Sequence, residues 1–351
     1  KGRYNLFGDY AKQFTDTGSS SSTAMNIYFD KDKMRIETST FSLDPKFDEL
    51  GKRVMNSRQS GSLLGYVNPG NIGYFSVSIN SEAMAHYYYE YMRRYLAKMY
   101  NMREYSDVVD IYIDLLEILL DEKGIADLLP GNYMFVMHDM KPTIVNYTDY
   151  EYDDEFNRKE VKKTKKELSP LFTFAFETRR EDFLKKLAKL PVKYAEKSDS
   201  NYKWREAGYY ELSFTEGAMP FSSLYFMVKD GKGIVTTSKE VIDMALAGKS
   251  YSIDETTRNS ILGNNYSLNI SSKRLIEKLS TQLSAESNKK VADYLLKNLG
   301  DLKMETGIRD GMIRGTTTLQ VTGNNSNSFE FLFNMMDSIN NIMEQEKQEG
   351  K

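Results

Sequence analysis

A short pattern occurs twice in this chain: FSVSINSEAM from Phe75 and YSLNISSKRL from Tyr266, 191 positions apart. Each copy reads aromatic, Ser, aliphatic, small polar, Ile, and then a polar pair in front of a helical pattern. This is a strand running into a capped helix. Two flanking segments recur with it. NIYFDKDKMRIETS matches LYFMVKDGKGIVTTS, strand for strand and turn for turn, at a similar offset. TFAFETRREDFLKKL matches TLQVTGNNSNSFEFLF at an offset near 145, so the first copy holds about 46 more residues, placed in a long second helix and a charged link at 153–167. The order hairpin, short helix, strand, helices, meander and closing helix predicts an α+β fold of two related units. Each is expected to be an antiparallel sheet with helices packed on one face. The expected boundaries are a flexible leader at 1–23, a first unit at 24–192, a shorter second unit at 204–347 and a tail at 348–351.

A length of 351 residues accommodates two such units, because single cores usually split beyond roughly 250–300 residues. With 25 Tyr and 18 Phe the chain is far too aromatic for disorder. Its 50 acidic and 47 basic residues leave no global field for nucleic acid, so a nucleic-acid partner is not expected. No apolar run reaches the 18 or so residues that span a bilayer; the longest helical one is broken by Asp114, Glu117 and Asp121. There is no Cys, which removes disulfides, thiolate zinc sites and a cysteine nucleophile from consideration.

Helical spacing puts Met84, Tyr88, Tyr91, Met92 and Tyr95 on one half of a helix from Ser81, a core stripe rather than a stacking platform. YMFVMHDM and TIVNYTDYEY read as two strands around Lys141-Pro142. The link DDEFNRKEVKKTKKE shifts from acidic to basic and reads as an exposed ribbon or hairpin tip.

The chemistry-bearing motifs are incomplete. Asp16-Thr17-Gly18 has the form of an aspartic-protease loop, but that mechanism needs two such loops sharing a proton, and no second one exists. Phe14–Thr23 therefore reads as a Gly- and Ser-rich lead-in with no counterpart ahead of the second unit. The two histidines, His86 on a helix and His138 in a strand, lack metal or triad spacing. Asp149, Glu151 and Asp153 alternate, so a strand would hold all three carboxylates on one face as a candidate Ca²⁺ site, although the loop lacks the EF-hand pattern. Two SxxK matches, at Ser200 and Ser287, come without their partner motifs. No catalytic residue and no cofactor is assigned.

The segments FTFAFETRREDFLKKLAKL, SLYFMVKDGKGIVTTSKEVIDMALAG and NYSLNISSKRLIEKL resemble bacterial cell-envelope proteins of a lipoprotein-type family whose domain has no known function. The resemblance covers roughly residues 25–345 through loose hydrophobic patterns and brings no catalytic residues. It implies an extracytoplasmic protein, periplasmic or cell-surface, anchored by lipid through an upstream Cys. The expected role is non-enzymatic binding or scaffolding with an envelope protein or glycan as partner. The alternative is a hydrolase with an acidic site at the junction of the two units.

Overall fold

A computed structural model describes residues 21–99, 111–116, 122–152, 156–195, 203–206, 208–214, 219–322 and 326–349. Residues 1–20 of the expected leader at 1–23, residues 350–351 of the expected tail at 348–351, and Asp153 lie outside them.

The architecture is mixed α+β around one large antiparallel sheet. Among the described residues twelve strands enter it: β1 (Ser21–Phe29), β2 (Lys33–Ser42), β3 (Gly73–Ser78), β4 (Asn132–Tyr152), β5 (Arg158–Glu177), β6 (Lys203–Glu206), β7 (Tyr210–Ser213), β8 (Ser223–Lys229), β9 (Lys232–Thr236), β10 (Tyr266–Ile270), β11 (Leu299–Arg309) and β12 (Met312–Val321). Their spatial order is β1-β2-β12-β11-β10-β3-β4-β5-β9-β8-β7-β6. The expectation of a separate sheet for each half is corrected here. The hairpin β1–β2 pairs with β12 and the hairpin β8–β9 pairs with β5, so each hairpin completes the sheet of the other half. Between the halves, β3 and β10 run antiparallel over five pairs, with Ser76 opposite Ser267.

Helices cover both faces rather than one. The principal helices are α1 (Pro45–Met55), α2 (Ser81–Met99), α3 (Glu122–Leu128), α4 (Glu181–Ala195), α5 (Lys239–Leu246), α6 (Glu255–Leu262), α7 (Ser272–Ser280), α8 (Glu286–Asn298) and α9 (Ser328–Glu349). Asp44 caps α1 by accepting from the amides of Lys46 and Phe47. On one face, Ser260 of α6 meets Ser267 of β10 at 2.8 Å. The ladder register puts Ile313 on the opposite face, where a Cβ on Gly51 of α1 would come within 3.9 Å of it.

The first face carries the core. Tyr74, Met134, Val136 and Ala175 project from β3, β4 and β5 against Leu63, Leu64, Val67 and Ile261, all buried. A neighbouring cluster joins Met227 and Ile234 to Val241 and Ile242 of α5, and Tyr66 packs on both clusters. The opposite face carries aromatic cross-strand pairs, Phe75 with Tyr266, Tyr133 with Phe174 and Phe135 with Phe172, all stacked with centroids 5.8–6.4 Å apart.

Two local expectations change. Residues 132–152 form one strand, with a bulge between Met137 and Asp139, instead of two strands around Pro142. Pro142 is tolerated because β4 there pairs with β5 alone, so one side of the strand needs no N–H. On α2, Tyr88 is 55 % exposed, while Tyr89 is buried and Tyr87 packs edge-on against Phe47 at 5.4 Å. The helix leans on α1, which rotates its buried stripe away from the expected one.

Asn265 locks the two halves at the head of β10. Its buried amide nitrogen donates to the carbonyls of Met55, Ser57 and Ser78 at 2.7, 3.0 and 2.9 Å, two protons serving three acceptors. Its own carbonyl accepts from the Ser78 amide at 2.7 Å. Asn265→Ala leaves these carbonyls without a donor, so urea unfolding is expected to show a loss of about 3 kcal/mol. Asn265→Asp, which keeps the shape and turns a carboxylate towards carbonyl oxygens, is expected to lose at least as much.

Candidate functional site

The bulge in β4 places His138 at the floor of a cleft of ≈ 600 Å³. One wall is the Asn68–Ile72 turn with Asp139, Lys141 and Leu171; the other comes from the second half, with Ser238, Glu240, Tyr251, Arg274, Glu277 and Lys278. The Arg274 guanidinium donates to the carbonyls of Pro69 and Asn71 at 3.1 and 2.9 Å, fastening α7 to the turn. Lys278 and Asp139 close an ion pair at 2.7 Å across the cleft. The cleft therefore lies where the two halves of the chain meet.

Beneath it runs a chain of buried hydrogen bonds. His138 Nδ1 is 2.7 Å from Asn68 Oδ1, and His138 Nε2 is 2.7 Å from Thr173 Oγ1. Thr173 Oγ1 is 2.9 Å from Thr236 Oγ1, which donates to the Phe172 carbonyl at 2.6 Å and accepts from the Ser238 amide at 3.0 Å. The protons can be followed. Thr236 spends its hydrogen on Phe172, so Thr173 donates to Thr236, and His138 must donate from Nε2 to Thr173. With Asn68 Oδ1 facing Nδ1, a ring in this placement would donate from both nitrogens. A neutral ring satisfies the same contact by turning the Asn68 amide so that its NH₂ faces Nδ1. Burial pushes His138 down from its ordinary 6.5 to about 4, so the neutral form holds at pH 7.

This arrangement orients an imidazole but activates nothing. Thr173 is fully buried and its proton is already given to Thr236, so it is not a nucleophile. Tyr251, whose ring centroid is 6.3 Å from that of His138, is pushed up by burial and then by the charge of Glu240. The cleft presents fixed donors, acceptors and charges of both signs, the equipment of a binding site.

A second cavity of ≈ 320 Å³ lies behind Tyr66, lined by Lys229, Lys232, Lys249 and Asp230. Lys229 is spent on capping α5, donating to the Ala245 and Leu246 carbonyls at 3.0 Å each. Burial, and then the charge of Asp230, pushes the Tyr66 hydroxyl up to about 12. Nearby, Glu177 accepts from Ser60, from Ser62 at 2.5 Å and from Asn132 at 2.6 Å, pinning the 60–62 loop to the sheet. Burial pushes the Glu177 carboxyl up, but these three hydrogen bonds and the charge of Lys232 outweigh it and hold the carboxyl below its ordinary value.

The sequence-derived candidates are dispersed. Asp149 and Glu151 do share a face of β4, and Lys163 of β5 sits between them, 2.7 Å from Asp149 Oδ2 and 3.0 Å from Glu151 Oε1. An ammonium therefore stands where a cation would be held. Among the described residues no group of three or more His, Asp or Glu is placed to hold a metal ion. His138 is part of the cleft and His86 lies on α2, away from it. The cleft's other members, Asn68, Thr173, Tyr251 and Arg274, had no motif to announce them; only the pairing of the halves brings them together. No helix among the described residues is long and apolar enough to cross a membrane.

The pH dependence follows from His138. The unfolded histidine takes up a proton near pH 6.5 and the folded one near 4, so between these values the unfolded chain binds more protons. Stability is therefore present above about pH 6.5 and falls as the pH drops towards 4, by up to roughly 3 kcal/mol. His138→Gln is expected to flatten this limb, read as the urea midpoint between pH 7.5 and 4.5; an unchanged slope would count against the proton assignment. No family model, curated protein or solved structure matches this chain.

Proposed function

We propose that the protein is a non-enzymatic, exported binding or scaffolding component of a bacterial cell envelope, built from two related α+β units, with an anionic glycan as its partner. The duplication is supported by the matching sequences of β3 and β10, which lie side by side. It is also supported by the strand order, which reads strand, meander partners, then hairpin in both directions from that pair.

The observation that carries the binding reading is the arm formed by β4 and β5. The ladder of β3 ends at Met137 and that of β9 at Thr173. Beyond them β4 and β5 pair only with each other, from Asp139↔Leu171 to Tyr152↔Arg158. At about 3.3 Å per residue this ribbon projects roughly 45 Å. Its two faces differ. On one, Lys163 pairs with Asp149 and Glu151, and Lys165 with Glu167, so the charges cancel. On the other, among the described residues, stand Arg158, Lys162 and Lys166 against the carboxylate of Glu160, with Ile144 62 %, Tyr150 42 % and Tyr152 69 % exposed. Arg158 stacks over the Tyr150 ring at 3.4 Å. Cations beside flat aromatic rings suit the carboxylates and the apolar ring faces of an acidic sugar chain.

The competing hydrolase reading draws on the cleft between the halves, where His138 and carboxylates converge. It cannot draw on His138 or Thr173 as base or nucleophile, since the imidazole and Thr173 are committed to each other and to Asn68 and Thr236.

Titration with alginate, an acidic polysaccharide, against neutral dextran separates these readings. Alginate is expected to bind with an affinity that falls as salt rises, and the Lys162→Glu/Lys166→Glu variant is expected to lose at least tenfold with an unchanged melting temperature. Equal binding of both polymers, or no effect of the double substitution, would remove the arm from the glycan site.

A further inference from the structure

The closing helix α9 has two apolar sides, of which its own fold uses one. Phe331, buried, and Met335, Ser338 and Ile342, half-buried, follow one another at steps of four, three and four residues on a helix that packs against α8 and β2. On the far side Phe329, Phe333, Met336, Asn340 and Met343 form a second stripe at steps of four, three, four and three, and all five are exposed. That spacing is the pattern by which one helix meets another along its length.

The stripe is anchored to the sheet and continues onto its edge. Ser328 fixes the start of α9, donating its amide to the Asp30 carbonyl at 2.8 Å and its hydroxyl to the Lys33 carbonyl at 3.0 Å. Phe329 packs edge-on against both Phe29 of β1 and Phe333, with centroids 5.0 and 4.9 Å apart. Ile27 shares the strand face of Phe29. Ile27, Phe29, Phe329, Phe333, Met336 and Met343 are 37–62 % exposed. At roughly 200 Å² for a large side chain, these six leave about 600 Å² of apolar surface, the upper end of what a monomer carries. A symmetric contact would bury the patch of both copies, about 1,200 Å², the size at which specific interfaces begin.

We infer that this face is the contact between two copies of the chain, with their α9 helices packed side by side, parallel and in register. Two features select the partner and the direction. Among the five stripe residues Asn340 is the polar one, and it donates to Glu344 at 3.3 Å, a long bond that it can exchange. A lone Asn in an apolar seam is accommodated when it meets a second Asn, and two parallel, in-register copies supply that partner. Glu330, Asp337 and Glu344 stand seven residues apart along one flank of the stripe, and Leu332 and Ile339 along the other. Antiparallel packing would set the acidic row against its own copy, whereas parallel packing sets it against the uncharged flank. Because α9 is already folded on its own body, association needs no ordering of its backbone. The inference is independent of the glycan reading and of the duplication.

Sedimentation equilibrium of the full chain is expected to show a reversible monomer–dimer equilibrium with a micromolar dissociation constant. Phe333→Glu and Met336→Glu, both at exposed positions, are expected to weaken it at least tenfold with an unchanged melting temperature. Lys162→Glu/Lys166→Glu on the β4–β5 arm is expected to leave it unchanged. The chain has no native Cys, so Asn340→Cys reads the direction without background. In a parallel, in-register pair the two thiols face each other and are expected to close a disulfide between chains in most molecules. A chain that stays monomeric at hundreds of micromolar, or a dimer that neither Glu substitution weakens, would overturn the proposal. A dimer whose Asn340→Cys chains stay uncrosslinked would overturn the parallel register. Flotation of a monomeric chain with phosphatidylglycerol vesicles, abolished by Met336→Glu, would assign the face to lipid and overturn the dimer.

Discussion

Everything in this protein hangs on one five-pair ladder, β3 against β10. Among the described residues it is the direct strand pairing through which the central three-stranded meanders of the two halves meet, and Ser76, Ser78 and Ser267 make its buried face polar. Ser76 and Ser267 face each other with no exposure to solvent, and Ser267 is linked through Ser260 to Glu305. A junction of this kind is specified by hydrogen-bond geometry more than by apolar area, because a shift of one residue would turn every side chain to the other face. Asn265 fixes that register from the end, by holding the tail of α1 and the last residue of β3 at once.

Crossing over of the hairpins strengthens the same junction. Because β2 pairs with β12 and β9 with β5, neither half can leave without breaking two ladders in addition to the central one. The cleft above His138 is a by-product of this arrangement: the Asn68–Ile72 turn from one half and α7 from the other are brought together over the β4 bulge, and Arg274 and Lys278 tie them. Its polar floor runs from Asn68 through His138 and Thr173 to Thr236. The arm leaves the sheet from the same bulge, so cleft and arm share their base at Asp139 and Lys141.

Much of the secondary structure was legible. The hairpins, α1, β3, β10 and the closing helices follow from alternating patterns, caps and the Asp230-Gly231 turn, and the exposed ribbon was announced by its run of charges. Local patterns misled where a neighbour decides. Pro142 looked like a strand end because its tolerance depends on β3 stopping at Met137, and Tyr88 looked buried because the stripe on α2 is set by contact with Phe47 and α1. His138 was readable as a half-buried strand imidazole, but its partners Asn68 and Thr173 are 70 and 35 positions away in the chain, and Thr236, which Thr173 meets in turn, is 98 away.

The sequence by itself determined the elements and the polarity of each strand face, since these depend on neighbours within a few residues. Only the tertiary structure decided that two expected sheets are one, that helices lie on both faces, and that an imidazole, two threonines and an asparagine meet under a cleft. Those outcomes rest on pairings between residues far apart in the chain, whose energies come from closing ladders and satisfying buried polar groups. No periodicity records that geometry.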